Sequence, residues 1–482
     1  MSIEIPSSTT PLLPAKPPSI SLRELRILAI VATVSLAQGL ISGLGTVWSY
    51  LYKDDYQLQP SAASSLDASL QIPWMIKPLW GILSDNLPIF SYKRKSYLIL
   101  SSIICAGCLL YLGLGLPPLA AGITLLLLIN IAQSVQAIVG QAILVENAQE
   151  ISSRKDVTED EKSKAASRGI SMFYGMKIIG GMVNSLLIAT LLTEQGRHRF
   201  LFYFSFIPVS IMLFSTFLPE KKVKTAKRTP QASTLALNAS VTEPVAKPGV
   251  SKVENLKRVY VFIKNPMIFK AMIIMFLNNF LPGSGQASFY YYTNELGFKP
   301  DFLGTLNIIA NVATILGVLI YNKFFATVNL KKFYTFTQIL CAVLTASMII
   351  LYNRWNVSLG ISDKVFMVLD NFVTSVVGEV NSLPLLILAC RLCPKNIEAS
   401  VFSILSATSN TAGMLSSQLS ALLIGWLGIT STNFDNLGVM ALLRAGFQIF
   451  PLFVLWSVNL DEAIKDVNKD EKKEDKEEVN DT

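Results

Sequence analysis

Apolar runs of about 20 residues recur along the chain between short polar breaks, and that is the length a helix needs to cross a bilayer. The pattern predicts spans near 24–46, 61–83, 96–115, 121–146, 168–192 and 198–218. After a break it predicts six more, near 268–290, 300–325, 333–352, 365–390, 398–422 and 437–459. The expected fold class is an all-α membrane protein, with twelve transmembrane helices in two six-helix bundles. A tail at 1–23, a bundle at 24–218, a linker at 219–265, a second bundle at 266–460 and a charged tail at 461–482 complete the expected organisation. The linker is rich in Lys, Thr, Pro and Ala, the composition of a flexible connection.

Polar residues interrupt the apolar pattern on particular faces. The first span carries Ser35, Gln38, Ser42, Gly45 and Ser49 near helical periodicity, and the fourth carries Asn130, Gln133, Ser134 and Gln141. The seventh carries Asn278, Pro282 and Gly285, and the tenth Asp370, Thr374, Gly378 and Asn381. Hydroxyls and amides in lipid are costly unless they face protein or water. One such stripe is explained equally well by hydrogen bonds between packed helices. Four stripes at intervals of three spans favour a shared aqueous cavity.

The charges inside the spans sharpen this picture. Lys177 lies about nine residues from one end of the fifth span, roughly 13 Å deep at 1.5 Å per residue, too deep to snorkel with ease. Glu379 is comparably deep in the tenth span. A substrate-facing or proton-coupling pair across the two halves and a purely structural ion pair both explain these two residues. Arg444 is expected to be shallower and to serve packing or snorkelling. Lys77, flanked by Pro73 and Pro78, is expected at a gate or interface rather than on a ligand. Glu146 at the end of the fourth span is expected to pair with Arg168 as a gate contact.

Composition agrees with the membrane reading. The 482 residues are 51% hydrophobic and 15% charged, against about 25% charged in soluble domains. Of the 41 Lys and Arg residues, 32 lie in the termini and alternate loops, six lie in the opposite loops, and three (Lys77, Lys177, Arg444) fall within spans. The positive-inside rule then places both termini and the linker in the cytoplasm. The same distribution argues against a nucleic-acid partner, because the basic residues sit in loops between spans. Membrane lipid is the expected surroundings. Five cysteines, all in or at the ends of apolar runs, read as reduced packing residues, and a single histidine, His198, offers no metal site or proton relay. No metal and no cofactor is expected.

At 71–97 the sequence reads QIPWMIKPLWGILSDNLPIFSYKRKSY. Together with YLYKDDYQLQP at 50–60, LVENAQE at 144–150, FYYYTNELGFKPDFLGTLN at 289–307, LGISDKVF at 359–366, LACRLCPKNIEASVF at 388–402, SNTAG at 409–413 and TNFDNLG at 432–438, it resembles the folate–biopterin transporter family of the major facilitator superfamily. The resemblance implies twelve helices of major facilitator type and alternating-access transport of folate or a related pterin, with protons as a coupling partner. It implies that Asp85 and the basic cluster around Arg94 latch the two bundles on the cytoplasmic side. Asp370, Arg391 and Glu398 look shared with relatives, whereas Lys177, Glu379 and Arg444 depart from the family pattern. On this reading folate, a dianion with a flat heterocycle, meets Lys177 or Arg444 with its carboxylates. Its ring meets Glu379 or Asp370 and an aromatic wall of Trp74 or Phe289, with Gln38, Gln133 and Asn278 as further polar contacts.

Other readings remain at this stage. The cargo is alternatively S-adenosylmethionine, a nucleoside-like molecule or an amino acid, and a non-transporting receptor or scaffold is a second alternative. An enzyme is not expected, since no nucleophile–base pair is visible. The expected location is the plasma membrane. The Leu12–Leu13 pair would serve as a sorting signal to a vacuole or lysosome.

Overall fold

The computed structural model describes residues 22–152, 159–220, 222, 266–325, 328–391 and 398–457, and these are almost entirely helical. Leu12 and Leu13 lie outside the described residues. Helical segments follow one another much as the apolar runs predict. Segment 1 is Leu22–Asp55, segment 2 is 60–86, segment 3 is Lys95–Leu114, segment 4 is Leu119–Ser152, segment 5 is 159–195 and segment 6 is Arg197–Ser215. Segment 7 is 266–295, segment 8 is Pro300–Phe325, segment 9 is Leu330–Tyr352, segment 10 is Asp363–Arg391, segment 11 is Glu398–Trp426 and segment 12 is Leu437–Trp456. Segments 1, 3, 4, 5, 6, 8, 9 and 12 contain the eight helices long and apolar enough to cross a membrane. Large apolar side chains such as Leu100, Ile103, Phe206, Leu422 and Phe453 point away from the protein, as a lipid-facing surface requires.

Segments 2 and 7 are broken helices. Proline lacks the N–H that a helix interior needs, and segment 2 divides at Pro73 and Pro78 into Pro60–Ser69, Ile72–Met75 and Lys77–Asn86. The Trp80 indole N–H donates to the Pro73 carbonyl, 3.0 Å away. Segment 7 breaks at 280–284, around Pro282 and Gly283. There the Gly283 N–H donates to the Ser420 hydroxyl at 2.9 Å, and Arg444 donates to the Leu281 carbonyl at 3.0 Å. Backbone groups freed inside a membrane protein must be satisfied by protein or water, and here side chains of neighbouring segments do it.

The two halves repeat one local device at an offset of 240. Gly45–Tyr50 passes into a wide π-turn at Leu51–Asp55, and Gly285–Tyr290 passes into one at Tyr291–Glu295. Each is closed by equivalent bonds: the Leu58 N–H donates to the Tyr52 carbonyl at 2.9 Å, and the Phe298 N–H donates to the Tyr292 carbonyl at 2.8 Å. Gln57 and Gly297 both adopt a left-handed backbone, and the next helices start at Pro60 and Pro300. A proline at the first helical position loses no bond, because that N–H has no intrahelical partner.

Small residues let particular segments touch through their backbones. A Cβ on Gly39 would sit 2.0 Å from the Lys177 carbonyl oxygen, and one on Gly180 would sit 2.3 Å from the Leu36 carbonyl oxygen. Segments 1 and 5 therefore pack in backbone contact, which fixes Lys177 beside Gln38. Across the halves, a Cβ on Gly304 of segment 8 would sit 2.6 Å from the Ala189 nitrogen of segment 5.

The apolar core is unevenly divided. Its largest cluster joins both halves, with Leu44, Val47 and Leu51 packed in one body with Tyr291, Leu303 and Ile424. This body lies at the end of the protein that bears 56–59 and 427–436. At the other end, among the described residues, the clusters belong to single halves: Val31, Tyr97, Ile143 and Phe173 in the first, and Ile274, Tyr334 and Leu455 in the second.

Candidate functional site

Two cavities lie among the broken segments. Cavity A, about 260 Å³, is built mostly by the first half. Gln38 of segment 1, Trp74 and Lys77 of segment 2, Gln141 of segment 4, and Phe173, Tyr174 and Lys177 of segment 5 line it. Met275 of segment 7 and Ser406, Ser409 and Asn410 of segment 11 close it from the second half. The break in segment 2 orients its wall. The Trp74 indole N–H donates to Asn130 at 3.1 Å, the Trp74 carbonyl accepts from Asn410 at 3.1 Å, and the Lys77 ammonium stands 4.5 Å from the centre of the Trp74 ring. The ammonium–indole approach is a cation–π contact. Among the described residues no carboxylate lines cavity A, and the formal charge there comes from Lys77 and Lys177.

Cavity B, about 380 Å³, belongs to the second half except for Thr46. Phe289 and Tyr292 of segment 7, Asn307 of segment 8, Tyr352 of segment 9, Asp370 and Thr374 of segment 10, and Arg444 of segment 12 face it. Asp370 accepts from the Ser347 hydroxyl at 3.3 Å, and the Tyr352 hydroxyl lies 2.7 Å from that of Ser288. Asp370 and Arg444 each stand seven residues into their segments from the 427–436 end, hence at similar depth. Among the described residues the two form no ion pair with each other.

The candidates read from the sequence are thus divided. Gln38, Trp74 and Lys177 meet in cavity A, joined by Lys77, which lines the cavity rather than standing apart at a gate. Phe289, Asp370 and Arg444 meet in cavity B, so Arg444 is a cavity residue and not a snorkelling one. Gln133, Asn278 and Glu379 line neither cavity. The Gln133 carbonyl accepts from Gln38 at 3.4 Å, and Asn278 accepts from the Tyr334 hydroxyl at 2.9 Å, so both tie segments together. Glu379 packs against Gly317 of segment 8, whose Cβ position is 2.9 Å from the Glu379 Cβ. The expected meeting of Lys177 and Glu379 is absent among the described residues. Nine residues of helix separate Asp370 from Glu379, about 180° of rotation at 100° per residue, so both cannot face one cavity.

The expected gate residues gather on Arg94, which is buried. Its guanidinium donates to Asp85 at 2.5 Å, to Glu146 at 2.7 Å and to the Ser84 hydroxyl at 2.6 Å. The Glu220 carboxylate accepts the backbone N–H groups of Lys93 at 2.6 Å, Arg94 at 3.1 Å and Lys95 at 2.8 Å. Burial works to lower the pKa of Arg94, but hydrogen bonding and charge from Glu146 and Asp85 outweigh it, and the net direction is upward. Asp85 and Arg94 bind each other within the first half in this conformation, which is joined across the halves at the opposite end. Glu146 takes Arg94 as its described partner, while the side chains of Arg168, Arg391 and Glu398 lie outside the described residues.

Sequence reading missed Asp67 and Glu220. Asp67 accepts from the Gln286 amide of segment 7 at 3.1 Å, across the halves. Hydrogen bonds joining the halves gather at this end and down to mid-depth, on first-half residues 46–74. Lys53 donates to Asn294 at 2.8 Å, the Tyr290 hydroxyl to the Leu58 carbonyl at 2.7 Å, and Gln418 to the Ser65 carbonyl at 3.2 Å. The signal for Asp67 was an acid in the second apolar run with no basic neighbour, and for Glu220 a lone acid before the lysine cluster.

Similarity to known proteins agrees with this architecture. The profile of the BT1 family matches residues 37–478. Folate transporter 1 of Plasmodium falciparum (isolate 3D7) is 29% identical over 408 residues, covering 84% of this chain and 74% of that protein. The folate-biopterin transporter of Synechocystis sp. is 29% identical over 426 residues, covering 88% and 80%. Among solved structures, the nucleoside transporter NupG superposes with a TM-score of 0.62 at 14% identity, covering 89% of this chain and 98% of NupG. A D-xylose–proton symporter does so with a TM-score of 0.60 at 13% identity, covering 90% and 97%. Identities this low bear on the fold alone. From its sequence and its architecture, the chain belongs to the BT1 family of folate–biopterin transporters and is an integral membrane transporter with the major facilitator fold.

Proposed function

We propose that this transporter carries folate or a related pterin by alternating access, coupled to protons. The observation that carries the reading is the chemistry of cavity A: two ammonium groups, an indole and two other aromatic rings, three amides and, among the described residues, no carboxylate. That lining suits an anion that also presents a flat ring. A charge left unpaired in a membrane costs about 2.5–3.5 kcal/mol on insertion scales, so two adjacent lysines favour an anionic occupant. The names of the relatives support folate or pterin as cargo. Support for proton exchange comes from Asp67, Asp370 and Glu379, carboxylates within spans that have no cation partner among the described residues. The bonds and shared core at the 56–59 end, and the divided cores at the other, support a conformation closed at the first end. By the distribution of Lys and Arg, that end is the extracytoplasmic one.

The test is uptake of radiolabelled folate, biopterin, S-adenosylmethionine and a nucleoside into proteoliposomes holding the purified protein, with and without an imposed pH gradient. The expected result is folate or biopterin uptake that rises with the gradient and collapses with a protonophore. Uptake of S-adenosylmethionine or the nucleoside without folate or biopterin would refute the reading.

A further inference from the structure

The acid and the guanidinium of cavity B require an explanation that cavity A does not supply. Arg444 is half-buried, and its one described hydrogen bond goes to the Leu281 carbonyl, leaving most of its five N–H donors without a described partner. Asp370 receives one long hydrogen bond from Ser347. The two lie at similar depth in the same cavity and do not pair with each other. Opposite charges held apart in a shared cavity suit a ligand that presents donors to one and an acceptor to the other. Aromatic side chains, Phe289 and Tyr292, stand in the same lining.

The pterin ring has such an edge. Its ring N–H and exocyclic amino group point two donors in parallel, and its carbonyl oxygen, next along the edge, accepts. A carboxylate accepts two parallel N–H bonds as it does from a guanidinium, and the neighbouring carbonyl is left for Arg444. We infer that cavity B reads the amino-oxo edge of the pterin ring through Asp370 and Arg444, while Lys77 and Lys177 in cavity A hold the carboxylates of the same molecule. The inference rests on the folate reading and adds the direction in which the substrate lies.

Spacing supports a single elongated ligand. Thr46 of cavity B and Gln38 of cavity A lie eight residues apart on segment 1, about 12 Å along a helix. In folate, the aminobenzoyl linker holds the ring and the carboxylates apart on that scale. Bound this way, the molecule touches both halves: its ring contacts segments 7, 10 and 12, and its tail contacts segments 2 and 5.

Fragments of the ligand separate the two ends. Biopterin carries the ring edge and no carboxylate, and p-aminobenzoylglutamate carries the carboxylates and no pterin. Equilibrium binding of both fragments and of folate is measured on the same preparations of purified wild-type, Asp370→Asn and Lys177→Met protein. In Asp370→Asn the dissociation constant of biopterin should rise about tenfold more than that of p-aminobenzoylglutamate, equal to about 1.4 kcal/mol. In Lys177→Met the order should reverse. Because each result is a ratio within one preparation, partial misfolding of a variant cancels. If both variants shift both fragments alike, or if Asp370→Asn spares biopterin, the placement is wrong although folate binding by the wild type stands. If the wild type binds none of the three, the folate reading falls and takes this inference with it.

Discussion

Contacts that join the two halves differ in kind from the ionic contacts that stiffen a single half. The latter occur at both ends, as Arg197 with Asp54 and Asp55 and as Arg94 with Asp85 and Glu146. At the 56–59 end the halves share one apolar core and exchange hydrogen bonds between mostly neutral groups, such as Gln418 with Ser65 and Tyr290 with the Leu58 carbonyl. At the 87–94 end the described ionic contacts run inside the first half, where Arg94 gathers Asp85 and Glu146 and Glu220 caps three backbone N–H groups. A neutral hydrogen bond contributes about 0.5–1.5 kcal/mol net, so no single bond at the first end secures closure. The seal is collective, and many small terms can be exchanged for others as the halves rock. The Arg94 network is concentrated in one buried cation, which suits an element that moves as a rigid body.

The comparison can be broken most severely at Gly304. The Gly304→Val substitution forces a side chain into the Ala189 backbone of the other half, and overpacking of this kind costs about 1–3 kcal/mol or more. Transport should fall strongly, and a cysteine introduced at the buried Ser288 position should become reactive to thiol reagents added on the 56–59 side. Unaltered reactivity would mean that the halves do not close through this contact.

Arg94→Met comes next. Removing the cation leaves Asp85 and Glu146 facing each other, but both acids are about half exposed, with side-chain exposures of 53% each. Solvent therefore moderates the loss to about 2 kcal/mol. Thermal unfolding should shift to lower temperature while Ser288→Cys stays protected, because the damage lies within one half. A gain in Ser288→Cys reactivity would show that the two ends are not separable.

Gln418→Ala removes bonds to Ser65 and Ser69 and should loosen the seal by about 1 kcal/mol, read as a roughly fivefold rise in the same labelling rate with thermal stability nearly unchanged. Asp85→Asn should be mildest, at about 0.5 kcal/mol, since Arg94 keeps Glu146. If Asp85→Asn were as damaging as Arg94→Met, Asp85 would serve a partner beyond the first half.

Much of this was legible in the sequence. Run lengths located the segments, Pro73 and Pro78 marked the break in segment 2, and the depth of Lys177 marked a residue of cavity A. Glu379 shows where such reading stops. Depth is a property of one helix, whereas the neighbour a side chain meets depends on rotation and on the segment packed beside it. The rotation was available: Asp370, Thr374 and Asn381 share a face, and Glu379 lies opposite. For Arg444, a residue of cavity B, the sequence did not disclose the partner. Its partner is a backbone carbonyl freed by the break at Leu281, and no pattern of side chains announces a backbone acceptor. For Asp85 the sequence offered a whole basic cluster, and only the fold shows that Arg94, nine residues on, is the member it pairs with here.

The core shared between the halves has a consequence for how the chain can be made. Every described member of that cluster lies at or before Phe204 or at or after Ala287, within one bundle or the other. Cutting the chain between 222 and 266 leaves all the described apolar partners present, divided between two polypeptides. Two genes, each encoding one bundle, should therefore complement one another in a single membrane, with the association surface located at the 56–59 end. On that arrangement the surface by which the halves recognise each other is carried by the bundles themselves, and joining them in one polypeptide raises the frequency with which they meet.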